Sequence, residues 1–308
     1  TVKFRFKETF FMQYIRFSSF LTVLITMAIF VILGSHTIDF FHRVSVLDFF
    51  FGLHWSPQTA MRQGQVGASG AFGLIPLLTG TLLITLIALI ISAPLGIGSA
   101  LLTSQYLTEK QRQLVKPFFE ILAGIPTVVY GFFALLIIGP FLQSVFHSHS
   151  PVVMSSESAL ACGIVMGIMI IPLVGSVTDD VIAAVPASMK DASYGMGASK
   201  AETIFGVILP AALPGIVSGF ILAISRAIGE TMIVVMAASL SANLTFNPFE
   251  AVTTITVQMV MLLVGDQAFD STKTLSAFAL ALALFMITFV LNYFGFRMYK
   301  NAISRLKN

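Results

Sequence analysis

Long apolar runs separated by short polar stretches dominate the chain. They extend over Phe17 to about Ile38, Leu74 to about Leu102, Pro117 to about Gln143, Ser158 to about Val177, Ala211 to Leu240 and Lys273 to about Tyr299. A helix rising 1.5 Å per residue needs about 20 apolar residues to cross a ~30 Å hydrocarbon core, and each run reaches that length. The pattern predicts an all-α polytopic membrane protein with six transmembrane helices. Ala251–Val264 is also apolar, but it is short and carries Thr253, Thr254, Thr256 and Gln258. It reads as an interfacial or partly re-entrant helix.

The intervening stretches divide the chain further. Residues 1–16 are a basic interfacial lead-in, 17–38 the first span, 39–73 a loop, 181–210 the longest stretch of mixed polarity, and 301–308 a tail. In the 39–73 loop, Phe49-Phe50-Phe51 and Trp55 are suited to the headgroup level. The first apolar run lacks a small-residue cleavage site and reads as an anchor, not a signal peptide.

Composition agrees with the pattern. Of 308 residues, 56% are hydrophobic and 10% charged, with mean hydropathy +0.93, against about 25% charged in soluble domains. No length is left for a sizeable soluble domain. A single cysteine, Cys162, excludes an intrachain disulfide and reads as a small core residue. The net charge of +3 matters less than its placement. The N-terminus, the 103–116 loop, the 181–210 loop and the C-terminus hold 4, 3, 2 and 4 Lys and Arg, against Arg43, Arg62 and Lys273 on the other side. That excess places both termini and the 181–210 loop in the cytoplasm.

Against this background the stretch Ser225-Arg226-Ala227-Ile228-Gly229-Glu230-Thr231 stands out. Each full charge at mid-bilayer costs roughly 2.5–3.5 kcal/mol on insertion scales. On one continuous helix, Arg226 and Glu230 lie one turn apart on a shared face. Gly215, Gly219, Leu222, Arg226 and Gly229 form a mostly small face, and Gly215-x-x-x-Gly219 suits close helix approach. With the span starting near Pro214, Arg226 lies roughly 18 Å in, close to mid-membrane. A guanidinium fork matches a tetrahedral oxyanion, so Arg226, Glu230, Ser225 and Thr231 are candidate residues of an anion path. The alternative is a structural salt bridge inside the membrane.

Other constellations carry less. Gly195-Met196-Gly197-Ala198-Ser199-Lys200 matches neither Walker A nor dinucleotide spacing, so the chain is not expected to hydrolyse nucleotide. His147 and His149 read as solvated loop residues, and Asp179-Asp180 as a solvated helix end. No serine has a histidine base at a recognisable spacing, no metal set is evident, and no cofactor is expected on this chain.

Residues 181–210 read as a short amphipathic helix, a glycine break, a second helix and a proline-marked entry into span five. Such a helix pair cannot bury its apolar face alone and suits a groove on another protein; an ordinary linker is the alternative. Asp191-Ala192-Ser193, Gly197, Val207 and Leu209-Pro210 resemble, by spacing, the EAA coupling motif of bacterial ABC importer permeases. Asp stands for Glu, Ser for the second Ala, and Val for Ile. Trp55-Ser56-Pro57, Phe72-Gly73-Leu74-Ile75-Pro76-Leu77, Gly80-Thr81-Leu82-Leu83, Ala93-Pro94-Leu95-Gly96-Ile97-Gly98, Ile125-Pro126-Thr127-Val128-Val129-Tyr130-Gly131-Phe132 and Arg226-Ala227-Ile228-Gly229-Glu230-Thr231 resemble the phosphate permeases of that family. The Trp-Ser-Pro segment and Gly265-Asp266 favour the PstC type over its paralogue PstA.

The resemblance implies a type I ABC importer permease fold, with residues 74–300 as its core and 181–210 as its cytoplasmic coupling loop. Asp191, Ala192, Ser193, Tyr194, Gly197, Ala198 and Glu202 would contact a separate ATPase. It also implies a bacterial inner-membrane location and several partners: a PstA-like permease, a PstB-like ATPase dimer that binds ATP and Mg, a periplasmic PstS-like phosphate-binding protein and a phosphate-signalling regulator. Phosphate would contact Arg226, with Glu230 pairing to Arg226 between turnovers or accepting the proton of a P–O–H. Permeases for sulfate or molybdate, a PstA-type subunit, and a stand-alone channel or secondary transporter are the alternatives.

Overall fold

The computed structural model describes residues 2–57, 70–149, 155–264 and 269–307. Arg62 and Gly265-Asp266 lie outside them, as do the side chains of His147 and His149. In chain order the helices are α1 (Val2–Phe41), α2 (Val46–Phe51), α3 (Ile75–Leu101), α4 (Glu109–Gly124), α5 (Thr127–Phe133), α6 (Gly139–His149), α7 (Ala159–Ala183), α8 (Ala187–Gly195), α9 (Lys200–Thr203), α10 (Leu209–Ile228), α11 (Met232–Ala237), α12 (Ile255–Leu263) and α13 (Thr272–Lys307). Strands β1 (Trp55–Ser56) and β2 (Ala71–Phe72) form a small antiparallel pair, Trp55 opposite Phe72.

Among the described residues, six helical stretches are long and apolar enough to cross a membrane: Phe11–Phe41, Ile75–Tyr106, Thr127–Phe146, Ala159–Ala183, Lys200–Ile228 and Thr272–Met298. Span three therefore starts at Thr127, not Pro117, because the chain turns extended at Ile125 and Pro126 and separates α4 from α5. Span five begins at Lys200, not Ala211. Its continuity depends on a π-helical turn at Ile204–Ile208 placed directly before Pro210, and another at Ala134–Ile138 precedes Pro140. A widened turn relieves the clash between the proline ring and the preceding turn. So Pro210 and Pro214 lie inside one helical rod and do not mark its entry. The backbone is likewise helical through His149, where a loop was expected.

Helices α3 and α7 form the centre. A side chain at Gly96 would strike Val174, and one at Gly163, Gly167 or Gly175 would strike Ile87, Ile91 or Ser99. The two backbones thus approach over several turns through small residues on both sides. Helix α10 packs on α7 where Gly215 and Gly219 meet Val181 and Val177. It packs on α13 where Gly295 meets Ile221 and Ser218 Oγ donates to the Gly295 carbonyl at 3.2 Å. Helix α1 is peripheral, touching α13 through Phe30–Phe285 at 4.7 Å and His36–Phe278 at 4.6 Å, and most of its apolar side chains face outward.

Two loop expectations change. Trp55 and Phe49 are buried, not placed among headgroups. Trp55 Nε1–H donates to Gln258 Oε1 at 2.9 Å, and Phe49 joins Phe40, Phe41 and Phe72 in an aromatic cluster. Phe50 and Phe51 remain exposed. Helix α12 is packed inside the body against α13 and α3, with Ile255, Val257, Gln258 and Leu262 buried. Its amide and threonine groups explain why so polar a segment can be buried. The Gln258 amide donates to the Leu240 carbonyl, and the Ile255 N–H donates to Thr81 Oγ1. Cys162 is fully buried in the core.

Candidate functional site

The helix carrying Arg226 ends two residues after it. Gly229, Glu230 and Thr231 leave the helical path, and α11 then resumes. Arg226 and Glu230 are therefore not one turn apart on a shared helix face. Each charge is matched to a different helix end. Arg226 sits in the last turn of α10, where unpaired carbonyls carry partial negative charge. Glu230 Oε1 accepts from the Met232 N–H at 3.1 Å and the Ile233 N–H at 3.4 Å, which caps α11. Among the described residues the ion pairs are Arg112–Asp179 and the long His36–Asp39 contact, so the expected Arg226–Glu230 pair is absent there. The break is tied to α12 by Thr256 Oγ1, which donates to the Glu230 carbonyl at 2.9 Å. Helix α11 continues inside the bundle against α5 and α7, so Arg226 lies within the body and not at its end.

Arg226 borders a cavity of about 340 Å³ between α3, α4, α7 and α10. Ser99, Thr103, Lys116, Glu120, Ser176, Asp179 and Asp180 also line it. Of the four candidate path residues, Arg226 is the one that lines this cavity. Ser225 instead anchors α10 to α13, its Oγ donating to Asn292 Oδ1 at 3.0 Å, and Thr231 Oγ1 donates back to the Gly229 carbonyl.

Asp179 corrects a sequence expectation. It is not a solvated helix end, because α7 runs on to Ala183. Its carboxylate is buried, held by Arg112 Nη2 at 2.7 Å and, more weakly, by Thr103 Oγ1 at 3.4 Å. Asp180 is exposed, as expected. The apolar residues Val181 and Ile182, following the two aspartates directly, were the local sign that the helix continues.

The coupling-type residues gather at one end of the molecule. Asp191, Ala192, Ser193 and Tyr194 lie on α8, a helix with no buried residue. Gly197 ends it with φ +85°, a left-handed conformation that would cost another residue about 1–2 kcal/mol. Ala198 follows, and Ser199 and Glu202 cap α9 reciprocally. Ser193 Oγ and Thr203 Oγ1 are 2.9 Å apart and clip α8 to α9. The underside is anchored by Ile204 and Ile208 against Ala100, Ile182 and Val185. Tyr194, Met189 and Met196 are exposed above it.

Replacing Glu230 tests its capping role. Glu230→Gln keeps one acceptor oxygen, and the expected loss of stability is under about 1 kcal/mol. Glu230→Ala removes the cap and should cost about 1–2 kcal/mol, read from thermal unfolding of the purified protein. Equal stability of the two variants would remove that role.

These features define a polytopic helical membrane protein with a charged cavity between its spans. The chain belongs to the binding-protein-dependent transport system inner membrane component family, which it matches over residues 92–308. It is a permease subunit with the ABC importer type I fold. It is 30% identical over 267 residues to the probable ABC transporter permease YqgH of Bacillus subtilis (strain 168), covering 86% of this chain and 82% of that one. It is 31% identical over 277 residues to the phosphate transport system permease PstC 1 of Mycobacterium tuberculosis (strain ATCC 25618 / H37Rv), covering 81% and 80%. The fold resembles the inward-facing MetNI methionine ABC transporter, with TM-score 0.53 and 16% identity over 74% of this chain and 93% of that one. It also resembles a bacterial ABC transporter involved in the import of the acidic polysaccharide alginate, with TM-score 0.55 and 13% identity over 74% and 79%.

Proposed function

We propose that this chain is the PstC-type subunit of an ATP-driven phosphate importer and forms the phosphate path together with a related second permease subunit. The observation that carries the reading is Arg226, which borders the cavity without an ion-pair partner among the described residues. Its five N–H donors are available to an oxyanion. The phosphate permeases among the relatives support the choice of anion.

The exposed α8 segment is the docking surface for a separate ATPase dimer, which binds ATP and Mg and supplies the stroke. The 181–210 loop and both termini face the cytoplasm, and a periplasmic phosphate-binding protein delivers from the opposite side. Arg226 meets the anion inside the cavity. Glu230 holds the break in the helix open beside it.

The test is uptake into vesicles by the reconstituted complex of both permeases, the ATPase and the binding protein. The expected result is ATP-dependent uptake of phosphate with sulfate and molybdate excluded. Uptake of sulfate in preference to phosphate would overturn the choice of anion. Flux without nucleotide would overturn the ATP-driven reading.

A further inference from the structure

Helix α4 is attached to the rest of the protein in an unusual way. It has no buried residue along its length. Leu114, Phe118 and Ile121 point outward, while Lys116, Phe119 and Glu120 border the cavity. The helix thus turns part of its charged face inward and part of its apolar face out, the reverse of a helix docked on a soluble core. No apolar seam seals its N-terminal half to the spans. The ion pair between Arg112 on α4 and Asp179 on α7, at 2.7 Å, provides the specific hold there.

Two further observations make this pair more than an anchor. First, α4 has a hinge at its other end. Ile125 and Pro126 are extended, Pro126 has no N–H to continue the helix, and the joint is bridged by Tyr130 Oη donating to the Leu122 carbonyl at 2.9 Å. Second, the hold is incomplete. Arg112 Nε is buried without a hydrogen-bond partner, so closure leaves a donor unsatisfied that opening would return to water. Burying two charges is nearly offset by their attraction, so such a pair can exchange between closed and solvated states.

The pair is also connected to the exposed loop. Thr103, which donates to Asp179, sits in the π-helical turn Leu102–Tyr106 at the end of α3. Tyr106 in the same turn carries the ammonium of Lys200 over its ring at 4.8 Å. Lys200 opens α9, inside the Ser199–Glu202 capping box. A displacement of the 187–203 segment therefore reaches Asp179 through Lys200, Tyr106 and Thr103.

We propose that Arg112 and Asp179 are the latch of a gate. Helix α4 swings about Ile125–Pro126 to open the cavity that holds Arg226, and movement of the 187–203 segment releases the latch through Lys200–Tyr106. Arg112 and Asp179 are positioning residues and do not themselves bind the anion. The proposal rests on the reading of this chain as a permease of an ATP-driven anion importer.

The test uses the complete reconstituted complex and inorganic phosphate. Arg112→Cys and Asp179→Cys are combined and bridged by a short bifunctional reagent that forms reducible disulfides. Bridging is expected to lower uptake by about tenfold or more, as for a motion that limits turnover. Reductant should restore it, and complexes carrying only Arg112→Cys or only Asp179→Cys, beside the buried native Cys162, should not respond. Reversal by reductant separates a closed gate from a folding defect. The swapped pair Arg112→Asp with Asp179→Arg should recover uptake lost in either single variant. A bridged complex that imports as fast as the reduced one overturns the latch. A wild-type complex that imports no phosphate would instead sink the functional reading, so the two failures are distinguishable.

Discussion

Arg226→Ala is expected to cut phosphate uptake by the assembled complex about 10²-fold. Loss of charge-assisted hydrogen bonds worth about 1.5–3 kcal/mol each corresponds to that factor. Arg226→Lys keeps the charge but not the planar fork, and a loss of about tenfold is expected. Initial rates in vesicles, with co-purification as the check on assembly, provide the measurement. Stability should separate this role from a structural one. A salt-bridging arginine would leave a stranded carboxylate when removed, at about 3–5 kcal/mol for a buried pair. Here Glu230 is already satisfied by the Met232 and Ile233 amides, so Arg226→Ala should unfold at nearly the wild-type temperature. A large fall in unfolding temperature, or full uptake, would remove the assignment.

Gly80→Val is expected to have the largest effect on folding. A side chain at Gly80 would be driven into the carbonyl oxygen of Thr253, a backbone atom with little freedom to move. Overpacking of this kind costs about 1–3 kcal/mol and sometimes more. We expect about 2 kcal/mol for Gly80→Ala and 3 or more for Gly80→Val. The strain also falls near the site. Thr253 adjoins Thr254, whose hydroxyl lies 2.9 Å from that of Thr256, and Thr256 holds the Glu230 carbonyl. Both variants should therefore lose uptake along with thermal stability in detergent. Wild-type stability of Gly80→Val would show that α12 can move away from α3 at little cost.

Much of the architecture was legible along the chain. Six apolar stretches matched in number and broadly in place, because crossing a bilayer demands a length of apolar residues that any window can register. The boundaries of spans three and five were less legible. Pro126 ends one helix, whereas Pro210 and Pro214 lie within another. The difference comes from a π-helical turn before Pro210, which no local residue pattern announced. The break at Gly229–Thr231 was hidden for a related reason. Apolar residues continue on both sides of it, and side chains, the carboxylate of Glu230 and the hydroxyls of Thr231 and Thr256, take backbone positions a helix would have used.

The candidate site divides in the same way. Arg226 was conspicuous because a charge in an apolar run is costly wherever its partner lies. Asp179 was not, since two aspartates near a span end look like ordinary solvated residues. Its partner, Arg112, is 67 residues away in the chain. Trp55 and Gln258 are separated by 203 residues, and neither could be recognised as the other's partner.

The sequence by itself determined the membrane class, the number of spans, the family motifs and the arginine, since each depends on composition, spacing or a single costly charge. Only the tertiary structure decided that Arg226 and Glu230 serve separate helix ends, that Asp179 pairs with Arg112, and that α4 forms a wall of the cavity. Those outcomes depend on where helices break and which distant helices touch. The physical reason is that a buried charge or donor takes whichever partner packing brings within about 3 Å, whatever its distance along the chain.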